Sequence, residues 1–345
     1  VKHRLPNRGA LCVGVLAFLV SAFSAVAGEK FQAVRFDQLL GWQQDDHLAA
    51  LRAFQKSCQD ISAPEWAPIC KFAKTNPPAR QFFEFFFTPV VIAPENNALF
   101  TGYFDPILEG SRTPTDLYRY PIYRKPPDLK PRDPMLTREA IDNGALAGRG
   151  LEIAWVKDPV DLYYLHIQGS GRVRLQDGTI IRVGYAGENG HIYRSAAREL
   201  VRRGVLDFPS ASIEGVKKWF MQDPARGIRA LEFNKSYVFF RELKDDSDAT
   251  FGALDRPLTG MRSIAVDPRF VQMGAPVWIE KGGNFVMRRL VVAQDTGSAI
   301  KGPQRADIFF GAGPAAGTLA GQVMDSGRLV VLLPNQIAKR LVPEG

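Results

Sequence analysis

Two aspartates stand in the stretch Val291–Phe310, VVAQDTGSAIKGPQRADIFF, and they are the residues best placed to do chemistry. An apolar run, Leu290 to Val292, leads into Asp295, and the chain then turns through Thr296, Gly297 and Ser298. Lys301 precedes a Gly302-Pro303 break, and Asp307 opens a second apolar run, Ile308 to Phe310. A carboxyl at the mouth of an apolar strand loses hydration, which raises its pKa toward the range of a proton donor at neutral pH. The bland alternative is that Asp295 caps its turn through local hydrogen bonds and Asp307 is a solvated strand start.

Asp295-Thr296-Gly297-Ser298 also reads like the signature of an aspartic protease, and Asp325-Ser326-Gly327 supplies a near-copy. That chemistry needs two aspartates from equivalent lobes sharing one proton. The copies here are too close in sequence for two lobes, which argues against a protease. A second set of residues is polar and aromatic: Thr101-Gly102-Tyr103, Gln168-Gly169-Ser170-Gly171, Tyr185-Ala186-Gly187 and Asn189-Gly190-His191. Aromatic faces, amides, hydroxyls and glycines at strand ends suit a sugar polymer approaching the backbone. Taken singly, each cluster reads better as a turn with a core tyrosine; together, in an exported chain, they favour a groove. No metal site is expected, because His47, His166 and His191 share no ligand spacing.

The elements that must position these residues fall into two kinds. Residues 36–87 are patterned for helices, with Asp45 and Asp46 in a first turn, Leu48, Leu51, Phe54 and Ile61 at helical intervals, and a phenylalanine-rich helix over 80–87 that belongs in a core. From Ala98 the pattern turns to short strands. These cover 99–104, 118–124, 153–156, 162–168, 173–175 and 180–185, with Asp177-Gly178 as a hairpin turn. Helices follow over 194–203 and 213–222, then strands over 237–240, 263–266, 276–280, 285–293, 306–310 and 328–333, with an acidic loop at Asp245, Asp246 and Asp248. The expected class is mainly β with some helices. Many short strands with tight glycine turns suggest a barrel, and the self-contained middle suggests a β-rich insertion with a groove at the junction.

Length and composition set the bounds. The 345 residues, 46% hydrophobic and 23% charged, suit one large or two ordinary globular domains and exclude disordered and collagen-like classes. Residues 1–27 read as a signal peptide, with Lys2, Arg4 and Arg8 before an apolar core and Ala25-Val26-Ala27 as the cleavage site. Removing those three charges from the formal +8 leaves +5. That balance suits an anionic polymer or membrane surface, but no arginine-rich cluster argues for nucleic acid. Export also bears on Cys58 and Cys70, an even pair expected to form a disulfide, with two buried free thiols as the alternative.

Four segments taken together carry a resemblance: FTGYFDP at 100–106, AWVKDPVDLYYLHIQGSGRV at 154–173, YAGENGHIYRS at 185–195 and QDTGSAIKGPQRADIFFGAG at 294–313. They resemble, in order, the MltA family of membrane-bound lytic murein transglycosylases. The resemblance implies a double-psi β-barrel from residues 28–105 plus 237–345 and an inserted substrate-binding domain over 106–236. It implies cleavage of the β-1,4 bond between N-acetylmuramic acid and N-acetylglucosamine of peptidoglycan, without water and without a cofactor, leaving a 1,6-anhydro ring. Asp307 would be the single acid/base and Asp295 its support, with a neighbouring charge that helps keep Asp307 protonated. Thr101, Gly102, Tyr103, Gln168, Gly169, Ser170, Tyr185, Ala186, Gly187 and Lys301 would meet the glycan, Lys301 facing substrate or solvent. The implied partners are peptidoglycan strands and cell-wall synthesis or division proteins. The Ala-x-Ala leader points to a periplasmic protein and leaves outer-membrane association open, since family members commonly carry a lipidated cysteine there. A muramidase-type hydrolase and a non-catalytic peptidoglycan-binding scaffold are the competing functions.

Overall fold

The computed structural model describes residues 30–130, 132–133, 136–207, 210–243, 249–283 and 285–342; the leader and the acidic residues Asp245, Asp246 and Asp248 lie outside them. In chain order come β1 (Phe31–Ala33), α1 (His47–Ser57), α2 (Trp66–Ala73), α3 (Ala79–Phe86), β2 (Phe87–Ile92) and β3 (Ala98–Asp105). Next are β4 (Ile107–Ser111), β5 (Tyr120–Tyr123), α4 (Arg138–Asp142), β6 (Glu152–Val156), α5 (Pro159–Gln168), β7 (Ser170–Leu175) and β8 (Ile180–Glu188). Then follow α6 (Ala196–Arg202), α7 (Ile213–Gln222), α8 (Pro224–Glu232) and β9 (Val238–Leu243). The chain ends with β10 (Ser263–Val266), β11 (Pro276–Lys281), β12 (Met287–Thr296), β13 (Arg305–Ala312), α9 (Gly313–Gly321), β14 (Met324–Pro334) and α10 (Asn335–Leu341).

Six strands close a ring in the order β14-β11-β12-β10-β13-β3, and β3 pairs back onto β14. Two of its pairings, β10 with β12 and β13 with β3, are parallel, as a double-psi barrel requires. The long strand β14 serves two neighbours along one edge: Met324–Gly327 pair with β3, and Val331–Pro334 pair with β2. Leu290–Ala293 and Leu329–Leu333 are buried throughout, so these strands read as continuous apolar runs rather than alternating ones. Phe54, Trp66, Phe82, Phe83 and Phe87 pack as rings within this same core, which fixes the phenylalanine-rich helix as structural. Cys58, just after α1, and Cys70 in α2 are joined as a disulfide with Cα atoms 5.5 Å apart.

A second sheet, ordered β5-β6-β4-β7-β8-β9, takes all its strands from residues between Ile107 and Leu243. Its last strand, β9, pairs with β8. The residues after Tyr237, expected in the barrel, therefore belong to this sheet as far as Leu243. Residues 162–168, expected as a strand, are the body of α5. Asp158 caps it by accepting from the Val160 amide at 2.8 Å, Pro159 fills the first turn, and Gly169 closes it at φ 78°. The apolar run alone did not separate helix from buried strand, but the Asp-Pro start and glycine stop did carry the helix signal. Helix α8, opened by Asp223-Pro224, was likewise not foreseen.

Asp46 caps α1 through the Ala49 amide, but Asp45 does not sit in the helix. Its carboxylate takes both Nη atoms of Arg262 at 2.8 and 2.9 Å and the Leu290 amide at 2.9 Å, and both side chains are under 10% exposed. Removing one partner of such a pair strands a buried charge. Asp45→Ala is therefore expected to lower unfolding free energy by about 3–5 kcal/mol, measured from urea midpoints at constant m.

Candidate active site

The barrel register sets the site. Ala265 of β10 lies opposite Asp295 of β12 on one side and opposite Asp307 of β13 on the other, and Asp307 lies opposite Thr101 of β3. Residues opposite one another share a face, so Thr101, Asp307, Ala265 and Asp295 form one row across four strands. Asp295 and Asp307 are thus two strands apart, about 9–10 Å between Cα atoms, with only a methyl group between them. On the opposite face, Ile264 and Ile308 enter the main core.

A bulge aims Asp295 into this row. The register of β10 against β12 passes from Ile264–Ala293 to Ala265–Asp295, skipping Gln294. The extra residue turns inward and is fully buried. Its amide accepts from Ser263 Oγ at 2.5 Å and donates to Ala53 O at 3.1 Å and Ser57 Oγ at 3.0 Å.

The two carboxyls are wired differently. Asp295 Oδ1 accepts from the amides of Ala253 and Thr296, both at 2.9 Å, and Oδ2 accepts from the Tyr103 hydroxyl at 2.8 Å. Asp307 Oδ1 accepts from Thr101 Oγ1 at 2.6 Å, and no further hydrogen bond reaches it among the described residues. Burial raises both pKa values, that of Asp295 to about 6, with the three donors opposing and the like charge of Asp307 adding to the rise. For Asp307 burial is the leading cause, opposed by the Thr101 hydroxyl and the Arg305 guanidinium. Asp295 thus carries three hydrogen-bond donors, whereas Asp307 carries one and keeps its second oxygen unbonded among the described residues.

The row opens on a cleft lined by Tyr103, Asp295, Asp307, the 296–300 turn and, from the second sheet's side, His166, Gln168 and Tyr193. A further lobe continues it past Gly169, Ser170, Tyr185 and Lys301. The two form one groove between barrel and insert. Lys301 is exposed there, and Tyr185 is 52% exposed, an aromatic face open to a ligand rather than a core ring.

Other residues expected at the glycan are committed elsewhere. The Thr101 and Tyr103 hydroxyls serve the carboxylates, and Ser170 Oγ donates to Asp105 at 2.9 Å. Gln168 Oε1 accepts from the Phe104 amide at 3.0 Å. At Gly102 a Cβ would lie 2.7 Å from the Ala320 backbone, so that glycine admits α9. Ala186 and Gly187 are outside both lobes; they form a bulge in β8 where it pairs with β9. Asn189, fully buried, stitches the chain through Leu136 O, Lys235 O and the Tyr237 amide. Asp325, the protease-like near-copy, is paired with buried Lys281 at 2.5 Å and takes no part in the row.

Sequence reasoning passed over Arg305 and Asp267. Arg305 shares a strand face with Asp307, two residues away, a signal that period-two reading offers. Asp267, just after β10, accepts from the Gly302 amide at 2.9 Å, holding the loop between the two aspartates. Arg269 keeps its carboxyl low, at about 2. Among the described residues no three His, Cys, Asp or Glu side chains gather as a metal site.

A raised carboxyl burdens the folded state once it ionises. Between about pH 4 and 6 folded Asp295 keeps a proton that the unfolded chain releases, so stability falls as pH rises through that window. Asp295→Asn should therefore raise the thermal midpoint at pH 7, by roughly 1–3 kcal/mol of stability, and leave it unchanged at pH 4. Calorimetry at the two pH values checks this.

The sequence profile of the MltA specific insert domain matches residues 99–241, and that of the 3D domain matches residues 262–333. The membrane-bound lytic murein transglycosylase A of Vibrio cholerae is 34% identical over 265 residues, covering 72% of this chain and 70% of the relative. A crystal structure of membrane-bound lytic murein transglycosylase from Agrobacterium tumefaciens superposes with a TM-score of 0.79 at 34% identity, covering 90% of this chain and 99% of that one. Escherichia coli MltA, crystallised with bound chitohexaose, superposes with a TM-score of 0.71 at 28% identity, covering 84% and 90%. With its two-part architecture, groove and ordered motifs, the chain belongs to the MltA family of membrane-bound lytic murein transglycosylases.

Proposed function

We propose that this enzyme cleaves the β-1,4 bond between N-acetylmuramic acid and N-acetylglucosamine in peptidoglycan, with Asp307 as the single acid/base. The observation that carries the reading is the open Oδ2 of Asp307 on the floor of a long groove, beside an Asp295 already saturated with donors. Asp307 gives its proton to the glycosidic oxygen as the C1–O4 bond breaks. The C6 hydroxyl of the same muramic residue then closes on C1, and the Asp307 carboxylate takes the hydroxyl proton, so no water is consumed. A glycosidase that hydrolyses needs a second carboxylate for water or for covalent attack. Here the Asp295 anion has a different task, to stabilise positive charge developing on the sugar ring.

In this reading the barrel is the catalytic body and the inserted sheet, residues 107–243, is the wall that holds the glycan. Tyr185 offers a stacking face and Lys301 a charge to the strand. The chitohexaose bound to Escherichia coli MltA supports a groove made for a β-1,4 hexosamine polymer. The relatives' membrane-bound names fit a periplasmic site of action at the envelope, although no helix among the described residues is long and apolar enough to cross a membrane.

Digestion of peptidoglycan sacculi followed by mass spectrometry tests the proposal. The expected products are 1,6-anhydro muropeptides, and Asp307→Asn should lower turnover by about 10²-fold or more. Products heavier by one water would make the protein a muramidase, and sacculus binding with no soluble product would make it a scaffold.

A further inference from the structure

The side chain two residues before Asp307 makes contacts that no substrate requires. Arg305 is partly buried and its guanidinium is held in a fork: Nη1 donates to Ala306 O at 2.6 Å and Leu99 O at 3.3 Å, and Nη2 donates to Thr101 Oγ1 at 2.7 Å. A guanidinium can only donate, and a threonine hydroxyl has one proton. Thr101 Oγ1 therefore accepts from Arg305, and its proton is free to point only at Asp307 Oδ1, 2.6 Å away. A proton on Oδ1 would oppose the one already pointing at it.

We propose that Arg305 is a positioning residue: by filling the acceptor side of the Thr101 hydroxyl it makes Asp307 Oδ1 a permanent acceptor and reserves Oδ2, the oxygen open to the groove, as the atom that gives and takes the proton. This rests on the reading of Asp307 as acid/base. It supplies what a single carboxyl with two successive tasks needs, because donor and acceptor are then the same atom in the same place. The guanidinium also keeps Asp307 from rising as far as burial alone would push it. A group that must first lose and then regain a proton works best near ambient pH.

Other charged groups bear on the same carboxyl. Asp295 on β12 faces it across Ala265, and Tyr103 on β3 is held as a donor to Asp295. Across the groove, His166 is kept neutral by burial and by the Arg138 charge, and Arg138 itself lines the same cavity. Arg198 of α6 lies within electrostatic reach of Arg305 and opposes its charge. None of these touches Thr101, so the Thr101 link separates the effect of Arg305 from theirs.

The test is the pH dependence of kcat/KM on purified peptidoglycan strands. Activity falls on the alkaline side as Asp307 loses its proton. Arg305 favours the ionised carboxyl, so Arg305→Gln should move that limb upward by about one pH unit. Arg305→Lys, which keeps charge and donor, should return it. Thr101→Val should move the limb upward even with Arg305 present, and it carries the test if Arg305→Gln does not fold. An Arg305→Gln enzyme that is folded by circular dichroism, weaker at every pH, yet has an unmoved limb overturns the proposal; so does an unmoved limb in Thr101→Val. Asp307→Asn run alongside keeps the two questions apart: if it is inactive while the Arg305→Gln limb stays in place, only the role of Arg305 falls, and if it is fully active the acid/base reading falls first.

Discussion

The register of four barrel strands is the constraint on which the site depends. Side chains alternate across a strand, so a slip of one residue in β13 would bury Asp307 in the core and bring Ile308 to the groove. Ring closure prevents that slip, because each of the six strands is hydrogen-bonded on both sides and has no partner to spare. The irregularity between β10 and β12 is placed where regular pairing would fail. Without the bulge at Gln294, Ala265 would face Gln294, and Asp295 would point away from Asp307. The inward amide of Gln294 is fully hydrogen-bonded between β10 and α1, which makes the irregular register the stable one.

Within the row, the two carboxyls differ in their hydrogen-bond donors rather than in burial. Both aspartates lie in the same low-dielectric wall, and burial favours the neutral form of each. Two backbone amides and a tyrosine hydroxyl stabilise charge on Asp295, whereas one threonine hydroxyl stabilises charge on Asp307. In the proposed reaction two like groups with unlike environments take unlike roles, and the separating device is local and inexpensive in structure: three hydrogen bonds against one.

How much of this was legible in the sequence depends on the range of the interaction. The two acids, the turn between them and the strands that carry them could be read locally, because an apolar run ending in Asp before Gly is a local signal. A barrel and an insertion could be suspected from the short strands and the self-contained middle, but the double-psi class came only from the motif resemblance, since strand order is a long-range property. Thr101 and Tyr103 were given to the sugar, because nothing in their neighbourhood says that their hydroxyls meet Asp307 and Asp295. The bulge at Gln294 is invisible in a run such as Val-Val-Ala-Gln-Asp, where every residue suits a regular strand. Residues 159–168 show the opposite failure: the capping signals were present, and the apolar run outweighed them.

The join between the two bodies argues for a groove of fixed width. Only Pro106 separates β3 from β4, so the barrel strand that carries Thr101 and Tyr103 runs almost directly into the second sheet. At that crossing Asp105 is buried, accepting from Ser170 Oγ and Arg172 Nε, both at 2.9 Å, while Gln168 takes the Phe104 amide. A buried ion pair adds little net stability over apolar packing, because desolvation offsets its attraction, but it tolerates only one geometry. It lies at the foot of α5, whose last residues His166 and Gln168 form the wall facing the aspartates. A strand of sugars laid in the groove therefore meets walls already set relative to Asp307. In the proposed reaction such preorganisation is what the intramolecular ring closure needs, since its rate depends on holding the C6 hydroxyl, the anomeric carbon and one carboxyl oxygen in line.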